Sequence, residues 1–167
     1  MRIEILKNKK LRGELNFGGF RFKNKNKKTP LVSIIMPNFK SKTLKKAIQS
    51  ILKQTYKNFE LIIVDGSSGK STINILKKFD NKIDFWISER DKGMWDAWNK
   101  GFKLAKGKFV GIVDSSNVLY PNAMKILAQY IKKNPKIDFV CGTVIKDKKI
   151  LGGYNPEKIY RKFNVIP

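Results

Sequence analysis

A chain of 167 residues with 36 Lys and Arg against 13 Asp and Glu carries a formal charge of +23. It is the size of one domain, and its 41% hydrophobic content can bury a core, which excludes a disordered chain. With no histidine and one cysteine, Cys141, it cannot form His-dependent triads, histidine zinc sites or an intrachain disulfide, leaving carboxylates, hydroxyls, lysines, backbone amides or a hard metal on oxygen ligands.

Residues 1–28 hold ten basic and two acidic residues, a net +8. They read as a basic N-terminal extension ahead of a domain over residues 29–167. Such charge attracts phosphates and anionic membrane surfaces, with Phe17, Phe20 and Phe22 available to insert. An abundance of Lys, Asn and Ile offers the plainer account, a solvated lysine surface. The phenylalanines flank Gly18-Gly19 and predict a small β-ribbon or a clamp on the main body. No apolar run reaches the roughly 18 residues of a spanning helix. Met1-Arg2-Ile3-Glu4-Ile5-Leu6-Lys7 lacks a signal-peptide run, so a cytoplasmic protein, peripheral at a membrane at most, is expected.

From Leu31 the pattern is regular. Leu31 to Met36 is an apolar, β-branched run stopped by Pro37, as in a buried parallel strand. Ser41 or Thr43 can cap a helix with Leu44, Ala47, Ile48, Ile51 and Leu52 on one face. A second strand covers Phe59 to Asp65, and Ser71 or Thr72 opens a helix with Ile75, Leu76 and Phe79 on one face. Ile83 to Ile87 is a third strand, residues 93–105 a third helix and Phe109 to Asp114 a fourth strand. Pro121 to Lys133 is a helix with proline in its first turn, and Ile137 to Gly142 a fifth strand. This alternation predicts a three-layer α/β domain, its mostly parallel sheet covered by helices on both faces. Ligands then belong at the carboxyl ends of the strands, near Pro37, Asp65 and Asp114.

Asp65-Gly66-Ser67-Ser68-Gly69-Lys70-Ser71-Thr72 ends like a phosphate-binding P-loop. The spacing excludes one: the position five before Gly69-Lys70 that should be glycine is Val64, inside the strand. Three other stretches carry more information, Val32-Ser33-Ile34-Ile35-Met36-Pro37-Asn38-Phe39, Ala47 to Tyr56, and Glu60 to Ser68. With Trp86-Ile87-Ser88-Glu89-Arg90-Asp91-Lys92-Gly93-Met94-Trp95-Asp96-Ala97-Trp98-Asn99-Lys100-Gly101 and Ala105-Lys106-Gly107, they resemble the N-terminal, nucleotide-sugar-binding part of an inverting family 2 glycosyltransferase over residues 31–145.

That resemblance implies a GT-A fold and residue roles. Asp65 resembles the aspartate that accepts a hydrogen bond from the nucleotide base, usually uracil; a turn cap is its plainer role. Pro37, Asn38 and Phe39 match one nucleotide-contacting loop, and Asp91, Lys92, Gly93 and Asp96 another. Asp96 also suits the first turn of a helix for dipole reasons alone. Trp95 and Trp98, three apart, read as core or interface residues rather than stacking platforms. The family's metal motif is reduced to Asp114-Ser115-Ser116-Asn117, so Asp114 is the one metal candidate. Magnesium or manganese would be held through one carboxylate plus substrate phosphates. Lys70, where the family commonly has Asp, is a further cation for a diphosphate.

An inverting transfer also needs a carboxylate base. Asp96, Asp147 and Glu157 are the candidates, the last two in no matching motif. The expected function is binding of a nucleotide-diphosphate sugar, most simply a UDP-sugar, and transfer of a hexose-type sugar to a glycan or lipid-linked acceptor. The alternative is a GT-A-like module that binds without turnover. A nucleic-acid-binding protein is a more distant one, lacking a recognition signature.

Overall fold

The computed structural model describes residues 16–22, 29–138, 144–146 and 149–151. Two compact units divide the chain, Met1–Ala128 and Gln129–Pro167. In the first unit the order is β1 (Asn16–Gly18), a 3-10 turn (Phe20–Phe22), β2 (Val32–Asn38), α1 (Leu44–Leu52), β3 (Phe59–Asp65), α2 (Lys70–Lys78), β4 (Phe85–Ser88), α3 (Met94–Leu104) and β5 (Phe109–Ile112). Helix α4 (Ala123–Lys133) follows, and the second unit contains an antiparallel hairpin of β6 (Val144–Lys146) and β7 (Lys149–Leu151). The fifth strand expected at Ile137 to Gly142 lies largely outside the described residues.

The sheet runs β1-β4-β3-β2-β5, with β2 to β5 parallel and β1 antiparallel to β4. Every residue of β3 is buried. Its side chains alternate between two covered faces, which is why the strand reads as a continuous apolar run. Ile62 and Val64 join Phe85, Ile87, Ala97 and Leu104 in a cluster under α3. Gly101 of α3 lies so close to Ile35 that a β-carbon there would fall 2.4 Å from the Ile35 Cγ2 atom. Residues of the other phase, Ile34, Met36, Leu61 and Ile63, are equally buried, as are Leu44, Ala47, Ile48 and Ile51 of α1 and Leu76 of α2. The architecture is α/β with a mostly parallel sheet.

Pro37 does not stop β2, which continues to Asn38. Ile35 O accepts from Val113 N and Asn38 O from Gly66 N. Pro37 therefore turns its donor-less nitrogen toward β5, whose ladder has ended at Ile112 opposite Ile35. Helix α2 begins at Lys70 rather than Ser71 because Gly69, at φ 98°, makes the turn.

Of the ribbon and the clamp, residues 16–22 form the clamp. Phe17 is buried in the cluster under α3 and is not free to insert into a membrane. Arg21 ion-pairs with Glu60, donates from Nη1 to the Leu104 carbonyl at 2.8 Å, and stacks on Phe85. Ser33 Oγ donates to Glu60 Oε1 at 2.6 Å and Lys106 N–H to the same atom at 2.7 Å, so β2, β3, the end of α3 and the N-terminal segment meet on one buried carboxylate. Trp95 is no core residue: it is 68% exposed, because Ala97, Gly101 and Leu104 take the face of α3 that meets the sheet.

Among the described residues no helix is long and apolar enough to cross a membrane.

Candidate functional site

The chain passes from β2 to β3 to β4 in one direction, then returns to place β5 on the far side of β2. Strand order reverses between β2 and β5, and a crevice opens there beyond their carboxyl ends. It is a cleft of about 780 Å³ lined by Pro37, Asn38, Phe39 and Lys40 after β2, Gly66 and Ser67 after β3, Arg90, Asp91, Gly93, Met94 and Ala97 around the start of α3, and Asp114 and Ser115 after β5.

Asp65 lies beneath this lining and is fully buried. Its Oδ1 accepts from Asn38 Nδ2 at 2.6 Å and Ser68 Oγ at 2.5 Å. Oδ2 accepts from Ser68 N–H at 3.0 Å and Ser88 Oγ at 2.7 Å. Four donors fill the lone-pair directions of a carboxylate, so a base N–H could reach Asp65 only by displacing one. In this arrangement Asp65 caps its turn and fixes the rim. Ser68 Oγ also receives Lys40 N–H at 2.7 Å, holding Lys40 and Ser67 in left-handed conformations, φ 52° and 62°, that side chains seldom adopt. Asn38 is 3% exposed; its amide donates to Asp65 while its Oδ1, buried, accepts no hydrogen bond. A buried acceptor without a donor is costly.

Pro37, Asn38, Phe39, Asp91, Gly93 and Asp114 thus line the cleft, whereas Lys92 and Asp96 do not. Asp91 Oδ1 receives Gly93 N–H at 3.0 Å, and Gly93 turns into α3 at φ 108°. Asp96 Oδ2 receives Lys92 N–H at 3.1 Å and lies 3.3 Å from Lys100 Nζ. The Lys92 amide first, then Lys100, hold the Asp96 carboxyl below the usual carboxylate range, so it is a weaker proton acceptor than an ordinary aspartate. Asp147 and Glu157 lie outside the described residues. Lys70, exposed at the first position of α2, does not line the cleft. The cations that do are Lys40, with Nζ 5.0 Å from the centre of the Phe39 ring, and Arg90. Sequence reasoning passed over both, although Arg90 stands between Glu89 and Asp91 and Lys40 follows the Pro-Asn-Phe loop directly.

Helix α1 positions the loop that carries Asp114. The Ser41 and Thr43 hydroxyls, instead of capping the helix, both donate to the Ser115 carbonyl at 3.0 Å. Gln54 Nε2 donates to Tyr120 O at 2.7 Å, and Leu119 N–H to Ser50 Oγ at 3.1 Å. No three carboxylate or cysteine side chains converge into a metal-binding group among the described residues. Asp114, exposed on the cleft wall, suits an ion whose other ligands are phosphate oxygens and water.

The model of the family described as Glycosyl transferase family 2 matches residues 33–166. The Escherichia coli UDP-Glc:alpha-D-GlcNAc-diphosphoundecaprenol beta-1,3-glucosyltransferase WfgD is 35% identical over 134 residues, 77% of this chain and 53% of that protein. The Staphylococcus aureus poly(ribitol-phosphate) beta-N-acetylglucosaminyltransferase TarP is 34% identical over 140 residues, 80% of this chain and 42% of that one. The chain spans about half the length of the curated relatives it matches. The crystal structure of S. aureus TarS 1–349 in complex with UDP-GlcNAc superposes with a TM-score of 0.56 at 26% identity, covering 62% of this chain and 32% of that one.

Proposed function

The chain belongs to glycosyl transferase family 2, and from that membership we propose that its cleft binds a UDP-sugar for transfer of a hexose-type sugar to a glycan or lipid-linked acceptor. The observation that carries this reading is the cleft at the reversal of strand order, whose lining brings Asn38 and Phe39 together with the cations Lys40 and Arg90. Phe39, 65% exposed, offers a face to the base or ribose. Lys40 and Arg90 supply charge for the departing diphosphate. WfgD and TarP are named for acceptors that carry phosphate, which suits a chain of charge +23.

UDP at about 100 times its dissociation constant should add roughly 2.7 kcal/mol of stability, read as a thermal shift. No shift with UDP, alone or with Mn²⁺, overturns the reading. A second reading, binding without turnover, is favoured by the cleft's carboxylates: Asp91 holds Gly93 N–H, and Asp114 is the lone metal candidate. It predicts UDP binding with no sugar released or transferred by this chain.

A divalent ion, when bound, neutralises charge on the diphosphate; Asp114 would hold it. With one carboxylate there and Lys40 and Arg90 nearby, we expect weak dependence of UDP binding on Mn²⁺. Ser116→Asp restores a second carboxylate and should make UDP binding tighter in Mn²⁺ than in chelator. Equal affinities in calorimetry would place Asp114 away from the diphosphate.

A further inference from the structure

The chain steps from β2 through β3 to β4 in one direction by way of α1 and α2, and right-handed crossovers put both helices on the face of the sheet opposite α3. Each helix buries one stripe, Leu44, Ala47, Ile48 and Ile51 in α1, Thr72 and Leu76 in α2. The opposite side of α1 carries Lys46 and, at its end, Lys53; that of α2 carries Lys70 and Lys77, and all four are exposed. Residues 39–59 and 66–79, which contain the two helices, hold nine lysines, no arginine and no carboxylate. No salt bridge between described residues reaches either helix. The carboxylates gather elsewhere: Glu60, Asp65 and Asp84 are buried, and Glu89 and Asp96 pair with Lys100 of α3. One face of the sheet is thus covered by a layer whose exposed charge is all of one sign, while the other mixes both signs.

Such segregation costs stability. Lys45 and Lys46 stand in the first turn of α1 and Lys70 at the first position of α2, where the helix dipole favours an acid, and like charges on one face repel. An anionic partner lying on the face removes that cost. Three details set its kind. Lys46 and Lys53, like Lys70 and Lys77, are two turns or about 10 Å apart along their helix, so the charges are spread over a broad face and do not converge on one phosphate. Lysine is a hydrated point charge without the bidentate fork of arginine, and neither helix carries a large exposed apolar or aromatic side chain on which a base could stack. At the end of α1, Gln54 Nε2 donates to Tyr120 O and Thr55 N–H to Pro121 O, which brings the exposed Tyr120, Lys125 and Ile126 to the edge of the layer. An aromatic and an aliphatic side chain beside lysines suit the headgroup depth of a bilayer. We propose that the outer face of α1 and α2 is the surface on which the protein lies against an anionic lipid bilayer. It is a different surface from the basic extension of residues 1–28, and it does not rest on the donor reading of the cleft.

The test is co-sedimentation of the full chain with vesicles of phosphatidylcholine alone and of phosphatidylcholine with about 30% phosphatidylglycerol, at salt from about 0.05 to 0.5 M. Two double variants separate the face from the total charge: Lys46→Glu with Lys77→Glu on the proposed face, and Lys103→Glu with Lys108→Glu at exposed positions at and beyond the end of α3. Both carry the same net charge, and circular dichroism checks that both fold. The unaltered chain should bind the anionic vesicles, leave the neutral ones, and be released as salt rises. Lys46→Glu with Lys77→Glu should weaken binding at least about tenfold, and the α3 pair by less than about threefold. Equal losses in the two variants overturn the proposal, since net charge would then act wherever it sits, as would equal binding to neutral and anionic vesicles. Release by inorganic phosphate at constant ionic strength overturns it in favour of a phosphate site. Tighter binding to a DNA duplex than to the vesicles, lost in the same Lys46 and Lys77 variant, overturns it in favour of nucleic acid. UDP binding, measured on the same samples, should be alike in all three proteins, so the cleft and the lysine face succeed or fail separately.

Discussion

Replacing Arg21 by alanine should destabilise the protein by about 3–5 kcal/mol, the range for removing one partner of a buried ion pair. The two side chains are 14% and 4% exposed, so the pair is largely withdrawn from water. Glu60 would keep Ser33 and Lys106 N–H on Oε1 but face the interior on Oε2 without its counter-charge. The Leu104 carbonyl, at the negative end of α3, would lose its donor as well. Urea unfolding checks this. Glu60→Gln in the Arg21→Ala background removes the stranded charge and should recover much of the loss. A cost under about 1 kcal/mol would mean that the pair behaves as a solvent-screened one.

For the nucleotide, Asp65→Asn should weaken UDP binding by about 1–3 kcal/mol, the cost of a buried donor left unsatisfied. Asparagine keeps the volume but turns an amide toward two of the four donors, those of Asn38, Ser68 and Ser88. With that network broken, Ser68 no longer fixes Lys40 at φ 52°, and the lining around Asn38 relaxes. Calorimetry of UDP on the variant, with the fold checked by circular dichroism, decides between roles. Unchanged affinity would reduce Asp65 to a turn cap. An equal loss in Ser68→Ala would assign Asp65 an indirect role through the rim, whereas a loss confined to Asp65→Asn would mean that the base displaces a donor and bonds the carboxylate itself.

The alternation of elements from Val32 to Lys133 was legible because each element carries its own period. Runs such as Leu61 to Val64 are continuously apolar since both faces of a central strand are covered, and α1 repeats Leu44, Ala47, Ile48 and Ile51 at helical spacing. Placing Pro37, Asn38, Asp65 and Asp114 near one end of the sheet followed from that order, because parallel strands bring their carboxyl ends together. What local period cannot encode is where one element lands on another. Arg21 meets Glu60 across 39 positions, and nothing near either residue announces the pair. Asp65 and Asp91 are both aspartates after turn-forming residues, yet one is sealed by four donors and the other lines the cleft. Trp95 and Trp98 look like core by spacing. Trp95 is exposed instead, because Ala97, Gly101 and Leu104 take the face of α3 that meets the sheet. Sequence alone determined the elements and their order; the tertiary packing decided which polar groups are satisfied and which apolar faces stay open, since both depend on contacts between residues far apart in the chain.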